Sequence, residues 1–183
     1  AVWSGKTREI LLEERQELVP PPGWLRIRVA GVGICGSDLH TYSSGGPPGG
    51  VPGHEVAGVV DLVGEGVSLE VGSGVAIEPI ASCGVCINCL EGYRWHCSRS
   101  IFLGGEGDGG MATHMLAPEA ASFSLPENVP PEEGSFVEPL AVGLHALNQA
   151  SVNQGDSLLI LGAGTVGLCT ALVARQWGIQ EVY

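Results

Sequence analysis

The stretch from Cys35 to Glu55 gathers the side chains best suited to chemistry. It reads Cys35-Gly36-Ser37-Asp38-Leu39-His40, then a Gly/Pro loop, then Gly53-His54-Glu55. Thiolate, imidazole and carboxylate together form a donor set that zinc accepts, and catalytic zinc sites use three protein ligands with one position left open. The loop between is too rich in glycine and proline to be core, and it brings the two ends together. Taken alone, the same residues also suit a buried thiol, a capping Ser or Asp and surface histidines with no metal between them.

Cys83, Cys86, Cys89 and Cys97 follow with the spacing C-x2-C-x2-C-x7-C, and Gly84, Asn88 and Gly92 supply turns. Four thiolates surround zinc tetrahedrally at about 2.3 Å, and such a closed site is structural because no position remains for substrate. Disulfides are the alternative, but two-residue spacings without an export signal favour metal. His96 offers a substitute for Cys97 that four sulfurs do not need.

Gly162-Ala163-Gly164-Thr165-Val166-Gly167 is a G-x-G-x-x-G placed after an apolar run and before a helical pattern. In that context Gly162 makes the tight turn, Gly164 admits a pyrophosphate and Gly167 lets helix pack on strand. The N–H groups around Thr165 and Val166, at the helix start, then face phosphate. The ligand is NAD or NADP. An acid about 20 residues further on belongs at the end of the next strand. Glu181 stands at a strand's start, so it is not assigned, and the choice between NAD and NADP stays open.

The elements that must position these groups come next. With 183 residues there is room for one domain and part of another. A net charge of −12, from eight basic and twenty acidic residues, argues against nucleic acid or an anionic membrane as partner. The 29 glycines and 12 prolines mark a turn-rich chain, and 44% hydrophobic residues mark a globular one. No apolar run is long enough for a membrane span, and the first residues do not read as a signal peptide, although a leader could have been removed. Six cysteines in that setting fit a reducing, cytoplasmic compartment.

Strands are expected at Ile10–Leu12, Trp24–Val29, Val56–Val63 (broken by Gly58), Val75–Ile77, Met111–Pro118 and Ala121–Leu125. Together they suggest a β-barrel-like domain over residues 1–130. From Pro131 a helix begins with Glu132 and Glu133 in its first turn, is restarted or kinked at Pro139, and runs through Leu147. Ser157–Leu161 reads as a parallel strand buried on both faces. Thr165–Trp177 reads as a helix with Val166, Cys169 and Val173 on one stripe, and Glu181 opens another strand. Residues 131–183 are thus the start of a dinucleotide-binding domain, and the fold class is α/β overall.

With these features in order, the chain resembles the zinc-dependent medium-chain dehydrogenase/reductase family along essentially all its length. The resemblance implies a GroES-like β-barrel catalytic domain followed by the opening of a Rossmann domain. The quinone-reductase branch lacks these zinc cysteines and is disfavoured. By position, the resemblance implies that Cys35 and His54 are catalytic zinc ligands and that Glu55 is a ligand or an alternate one exchanging with water. Val137-Glu138-Pro139-Leu140 resembles the polyol and threonine dehydrogenase branch, whose Glu at this place binds zinc directly or through water. Pro139 disfavours helix at Glu138, which would put that side chain at a helix start; a first-turn carboxylate favoured by the dipole is the other reading.

The resemblance further implies that Ser37 bonds the substrate alcohol, that His40 passes its proton towards solvent, and that Asp38 orients a ligand. His114 and His145 read as ordinary packed or surface residues and Cys169 as a small helix hydrophobe. The expected activity is hydride transfer from a secondary alcohol, polyol or 3-hydroxy amino acid to NAD(P), with one catalytic and one structural zinc. The complete enzyme is expected to be a homo-oligomer, dimer or tetramer. Family members are about twice this length, as a full dinucleotide fold requires. The 183 residues alone are therefore expected to bind zinc without turning over. A non-enzymatic zinc module is the rival reading, but such a module needs only the cysteine lobe.

Overall fold

The computed structural model describes residues 1–183, which form two compact units, Ala1–Ser135 and Phe136–Tyr183. The division falls after the expected boundary at residue 130, because Pro131–Ser135 pack with the first unit. Gly134 is buried there, where a β-carbon would crowd Ala57 and Leu125.

The first unit begins with β1 (Val2–Trp3) and β2 (Ile10–Leu11), paired antiparallel. Next come β3 (Trp24–Gly33), helix α1 (Gly36–Ser44), β4 (Glu55–Val63) and β5 (Gly74–Ile77). The cysteine lobe lies between β6 (Ile80–Ala81) and β7 (Ile101–Phe102), which pair with each other, and contains α2 (Ile87–Leu90) and a 3₁₀ turn at Arg94–His96. β8 (His114–Pro118) and β9 (Ser122–Ser124) complete an antiparallel five-stranded sheet in the order β8-β3-β4-β5-β9.

Alternation along β3 explains which face is core. Leu25 and Ile27 are wholly buried and Arg28 faces solvent, as a period-two strand requires. They pack with Val56, Val60, Val75 and Met115. Register shifts at Arg26/Ile27 and Val29/Gly31 mark bulges, which bend a strand and raise its twist. Gly58 does not break β4. It sits where a β-carbon would overlap the carbonyl of Arg28, so the glycine permits close pairing of β3 and β4. The expected strand from Met111 is shorter and starts at His114. Residues 110–111 instead turn back on the 52–53 loop, where Gly110 and Met111 donate to the carbonyls of Gly53 and Pro52, at 2.8 and 2.9 Å.

The second unit contains α3 (Val137–Gln149), β10 (Ser157–Leu158), α4 (Thr165–Gln176) and β11 (Glu181–Val182). A 3₁₀ turn at Glu133–Phe136 precedes α3. Pro139 sits in the first turn of α3, which starts anew after that 3₁₀ turn. It is the third residue of α3, where a backbone N–H has no intrahelical partner to lose, and so Glu138 is already helical. α3 meets α4 closely: a β-carbon at Gly143 would stand 2.8 Å from the Thr170 amide nitrogen.

The buried stripe of α4 is Cys169, Thr170 and Ala174, whereas Val166 is exposed. Thr170 enters this apolar face because its hydroxyl is satisfied internally, donating to the Val166 carbonyl at 2.8 Å. β10 and β11 pair in parallel around α4, giving the βαβ arrangement, but the expected buried strand is short. Leu159 and Leu161 are exposed, since β11 is the one strand paired with β10.

Candidate functional site

Cys35 lies just beyond β3, at the cap of α1, and Glu55 opens β4. The antiparallel pairing of Gly33 with Glu55 therefore brings the two halves of the motif together. The helix 36–44 has no strong sequence signature. Asp38 fixes its start, because its Oδ2 accepts the Cys35 amide at 2.9 Å and so closes the cap. Its other oxygen stands 3.8 Å from His54 Nδ1, and both residues are buried. One carboxylate thus holds the backbone of one candidate ligand and faces the imidazole of another.

Donor atoms of Cys35, His54 and Glu55 all lie within 4.8 Å of one another. A tetrahedral zinc with bonds of 2.0–2.3 Å separates its ligand atoms by roughly 3.3–3.8 Å, so the set fits such an ion after a small contraction. The His54 ring is backed by Phe102, with centroids 5.3 Å apart. Behind it, a β-carbon at Gly104 would crowd the Gly53 carbonyl and His54 Cβ.

A pocket of about 600 Å³ opens beside this set, lined by Trp3, Ser37, Thr41, His54, Phe102 and Glu106 among others. Ser37 and His40 lie on the exposed side of α1, three residues apart. Trp3 is almost wholly buried, and Gly46 presents no side chain where one would strike its ring. The backbones of Trp3, Gly49 and Gly50 exchange hydrogen bonds of 2.8–2.9 Å, tying the loop to the first strand. Trp3, Thr41, Phe102 and Glu106 were not legible as pocket residues from sequence, since none stands in a recognisable spacing with Cys35 or His54.

Cys83, Cys86, Cys89 and Cys97 converge as the spacing predicts. Their sulfurs approach to 3.4 Å (Cys86 and Cys89) and 3.9 Å (Cys83 and Cys89), against an edge of about 3.8 Å for a tetrahedron with 2.3 Å zinc–sulfur bonds. Cys97, not His96, completes the cluster. Its sulfur accepts amide hydrogens from Cys83 and Arg99, each at 3.4 Å. Hydrogen bonding from the backbone at Val85 pulls the Cys83 thiol down to about 6, whereas burial raises Cys89 to about 11. Arg94 anchors the lobe, donating to Ser82 Oγ at 2.9 Å and to the Ala120 carbonyl at 2.7 Å.

In the second unit, Gly162 has φ +115°, a left-handed backbone that favours glycine. A β-carbon at Gly167 would overlap the Gly162 carbonyl, so the third glycine is required for packing. At Gly164 a β-carbon would meet no atom within 4 Å, which leaves the helix start at Thr165 and Val166 open to a ligand. Glu181 is engaged elsewhere: its carboxylate accepts from Ser157 Oγ at 2.8 Å. Glu138 is the second residue of α3, and His145 is exposed on the same helix.

An antiparallel sheet carrying a three-donor cluster and a four-thiol lobe is thus followed by a βαβ glycine turn. Comparison with known proteins identifies the family. The signature of the alcohol dehydrogenase GroES-like domain matches residues 21–127. Galactitol 1-phosphate 5-dehydrogenase of Escherichia coli (strain K12) is 37% identical over 161 residues, covering 86% of this chain and 46% of that protein. Sorbitol dehydrogenase of Arabidopsis thaliana is 40% identical over 169 residues, covering 88% and 46%. The crystal structure of an alcohol dehydrogenase from Escherichia coli CFT073, complexed with NADH, superposes with a TM-score of 0.90 at 32% identity, covering 99% of this chain and 54% of that one. The chain belongs to the zinc-type medium-chain dehydrogenase family, and it spans about half the length of the curated relatives it matches. No helix is long and apolar enough to cross a membrane.

Proposed function

We propose that the chain carries the metal centre and the first part of the nucleotide site of a zinc-dependent, NAD(P)-linked dehydrogenase acting on secondary alcohols or polyols. The observation that carries this reading is the convergence of Cys35, His54 and Glu55 beside a pocket that Ser37 lines. A non-catalytic zinc module would need the four-cysteine lobe alone. The sorbitol- and galactitol 1-phosphate-acting relatives and the NADH-bound neighbour support the substrate class and the cofactor.

What zinc supplies when bound at Cys35, His54 and Glu55 is Lewis-acid polarisation of a hydroxyl, and what a nicotinamide supplies is hydride acceptance. The chain's own residues do the rest. Ser37 takes the hydrogen bond of the substrate hydroxyl, and His40, exposed on the same helix, passes the proton to solvent. Asp38 holds the Cys35 backbone and faces His54, fixing the geometry of two donors. Phe102 packs against the imidazole and limits its movement. Amides at Gly164, Thr165 and Val166 hold the pyrophosphate. Pocket-lining residues include the carboxylates of Asp38 and Glu106 and no lysine or arginine, which favours an uncharged polyol over a phosphate ester.

Metal analysis tests the reading. The expected result is two zinc ions per chain, with Cys35→Ala retaining one. Zinc confined to the four-cysteine lobe in the unaltered protein would overturn it. In the parent enzyme, turnover of neutral polyols should exceed that of their phosphates, and the reverse preference would refute the substrate assignment.

A further inference from the structure

Gly33 ends β3 and stands opposite Glu55, the first residue of β4, in antiparallel register. Its backbone is not left-handed, so its torsion angles do not demand glycine. Space demands it. A β-carbon at position 33 would overlap Oε2 of Glu55 and stand 2.9 Å from its Cδ and 3.0 Å from its Cβ. All three nearest atoms belong to the Glu55 side chain, in contrast to Gly58, whose nearest atom is a backbone carbonyl oxygen. Glu55 is itself 6% exposed, so its carboxylate has little room to move aside.

We propose that Gly33 is a positioning residue of the metal centre, its bare α-carbon forming the seat that holds the Glu55 carboxylate beside Cys35 and His54. The inference rests on the reading of those three residues as a metal centre. A methyl group in the seat displaces the carboxylate and removes one donor. Groups that orient metal ligands typically contribute about 10–100-fold in affinity, and Gly33→Ala should lose that much at this centre. The four-cysteine lobe shares no residue with the seat and should be unaffected.

Cobalt(II) titration of the chain, followed by absorbance, reads both centres, and a Cys35→Ala variant identifies which signal belongs to which. Gly33→Ala and Glu55→Ala should weaken the Cys35 centre to similar extents. The double variant should be no weaker than Glu55→Ala alone, because only the tight 3.0 Å contact with Cβ remains to relax. Where Gly33→Ala fails to fold but the double variant folds like Glu55→Ala, the carboxylate clash is still the cause, and the proposal stands.

Wild-type cobalt affinity in Gly33→Ala would overturn it. So would losses in the double variant that multiply, or a double variant that misfolds while Glu55→Ala folds, since the glycine would then serve the backbone. If Cys35→Ala leaves the titration of the unaltered protein unchanged, the metal-centre reading itself fails, and the seat falls with it.

Discussion

Ser37 and Asp38 are adjacent in the chain, yet they point to different duties. Ser37 is exposed at the pocket and is not among the converging donors, whereas Asp38 is buried and engages the Cys35 amide. We therefore expect Ser37→Ala, in the parent enzyme, to keep its full zinc content and to lose about 10²–10⁴ in turnover, the usual cost of one general acid–base contact. Unchanged turnover across the pH range would remove Ser37 from the mechanism. Asp38→Ala should do the opposite. It loses a helix cap that contributes about 0.5–2 kcal/mol, and it should weaken metal at Cys35 and His54 by about 10–100-fold. A thermal melt combined with zinc competition would separate the two effects, and wild-type affinity would exclude Asp38 from ligand support.

The cysteine lobe is the element whose chemistry is tied most directly to pH. Cys83, held down near 6, is already a thiolate at neutral pH, whereas Cys89, raised to about 11, still carries its proton. Metal needs both as thiolates, so binding must expel the Cys89 proton, and zinc affinity should rise about tenfold per pH unit from this proton alone between pH 6 and 11. Below pH 6 Cys83 also protonates and the slope should steepen. Zinc competition titrations at several pH values check this, and a flat profile would mean that the four sulfurs do not bind together. Cys86→Ala should lose one zinc and melt the lobe while the Cys35 centre keeps its own.

This lobe and the glycine turn were the most legible elements, because regular cysteine and glycine spacings survive without tertiary context. The sheet strands were legible from the alternation of Leu25, Ile27 and Val29. Helix 36–44 was not, since its start is set by Asp38 reaching back to Cys35, a contact with no apolar period to announce it. The stripe on α4 was misplaced for a related reason: Thr170 is polar in sequence and apolar in effect once its hydroxyl bonds to Val166.

At the scale of the whole molecule, the two units have cores of very different size. The sheet buries Leu25, Ile27, Val56, Val60, Val75 and Met115 together, whereas the fully buried apolar core of Phe136–Tyr183 is Leu147, Ala174 and Ile179. Leu159, Leu161, Leu168 and Leu172 are exposed in the second unit. Stability follows apolar burial, so hydrogen exchange should show strong protection in β3, β4 and β8 and rapid exchange through α3 and α4. Equal protection in both units would show that the smaller one is held by more than the contacts seen here.

The four tryptophans are spread across the molecule, and Trp3 is the one that walls the pocket beside Ser37 and His54. Because it is sealed from water, its fluorescence should be blue-shifted, while that of Trp95, exposed on the cysteine lobe, should emit further to the red. The protein therefore carries its own optical probes. A ligand entering the pocket should quench the short-wavelength component, and loss of metal from the lobe should perturb the long-wavelength one, so the two events can be followed separately in one cuvette without a label.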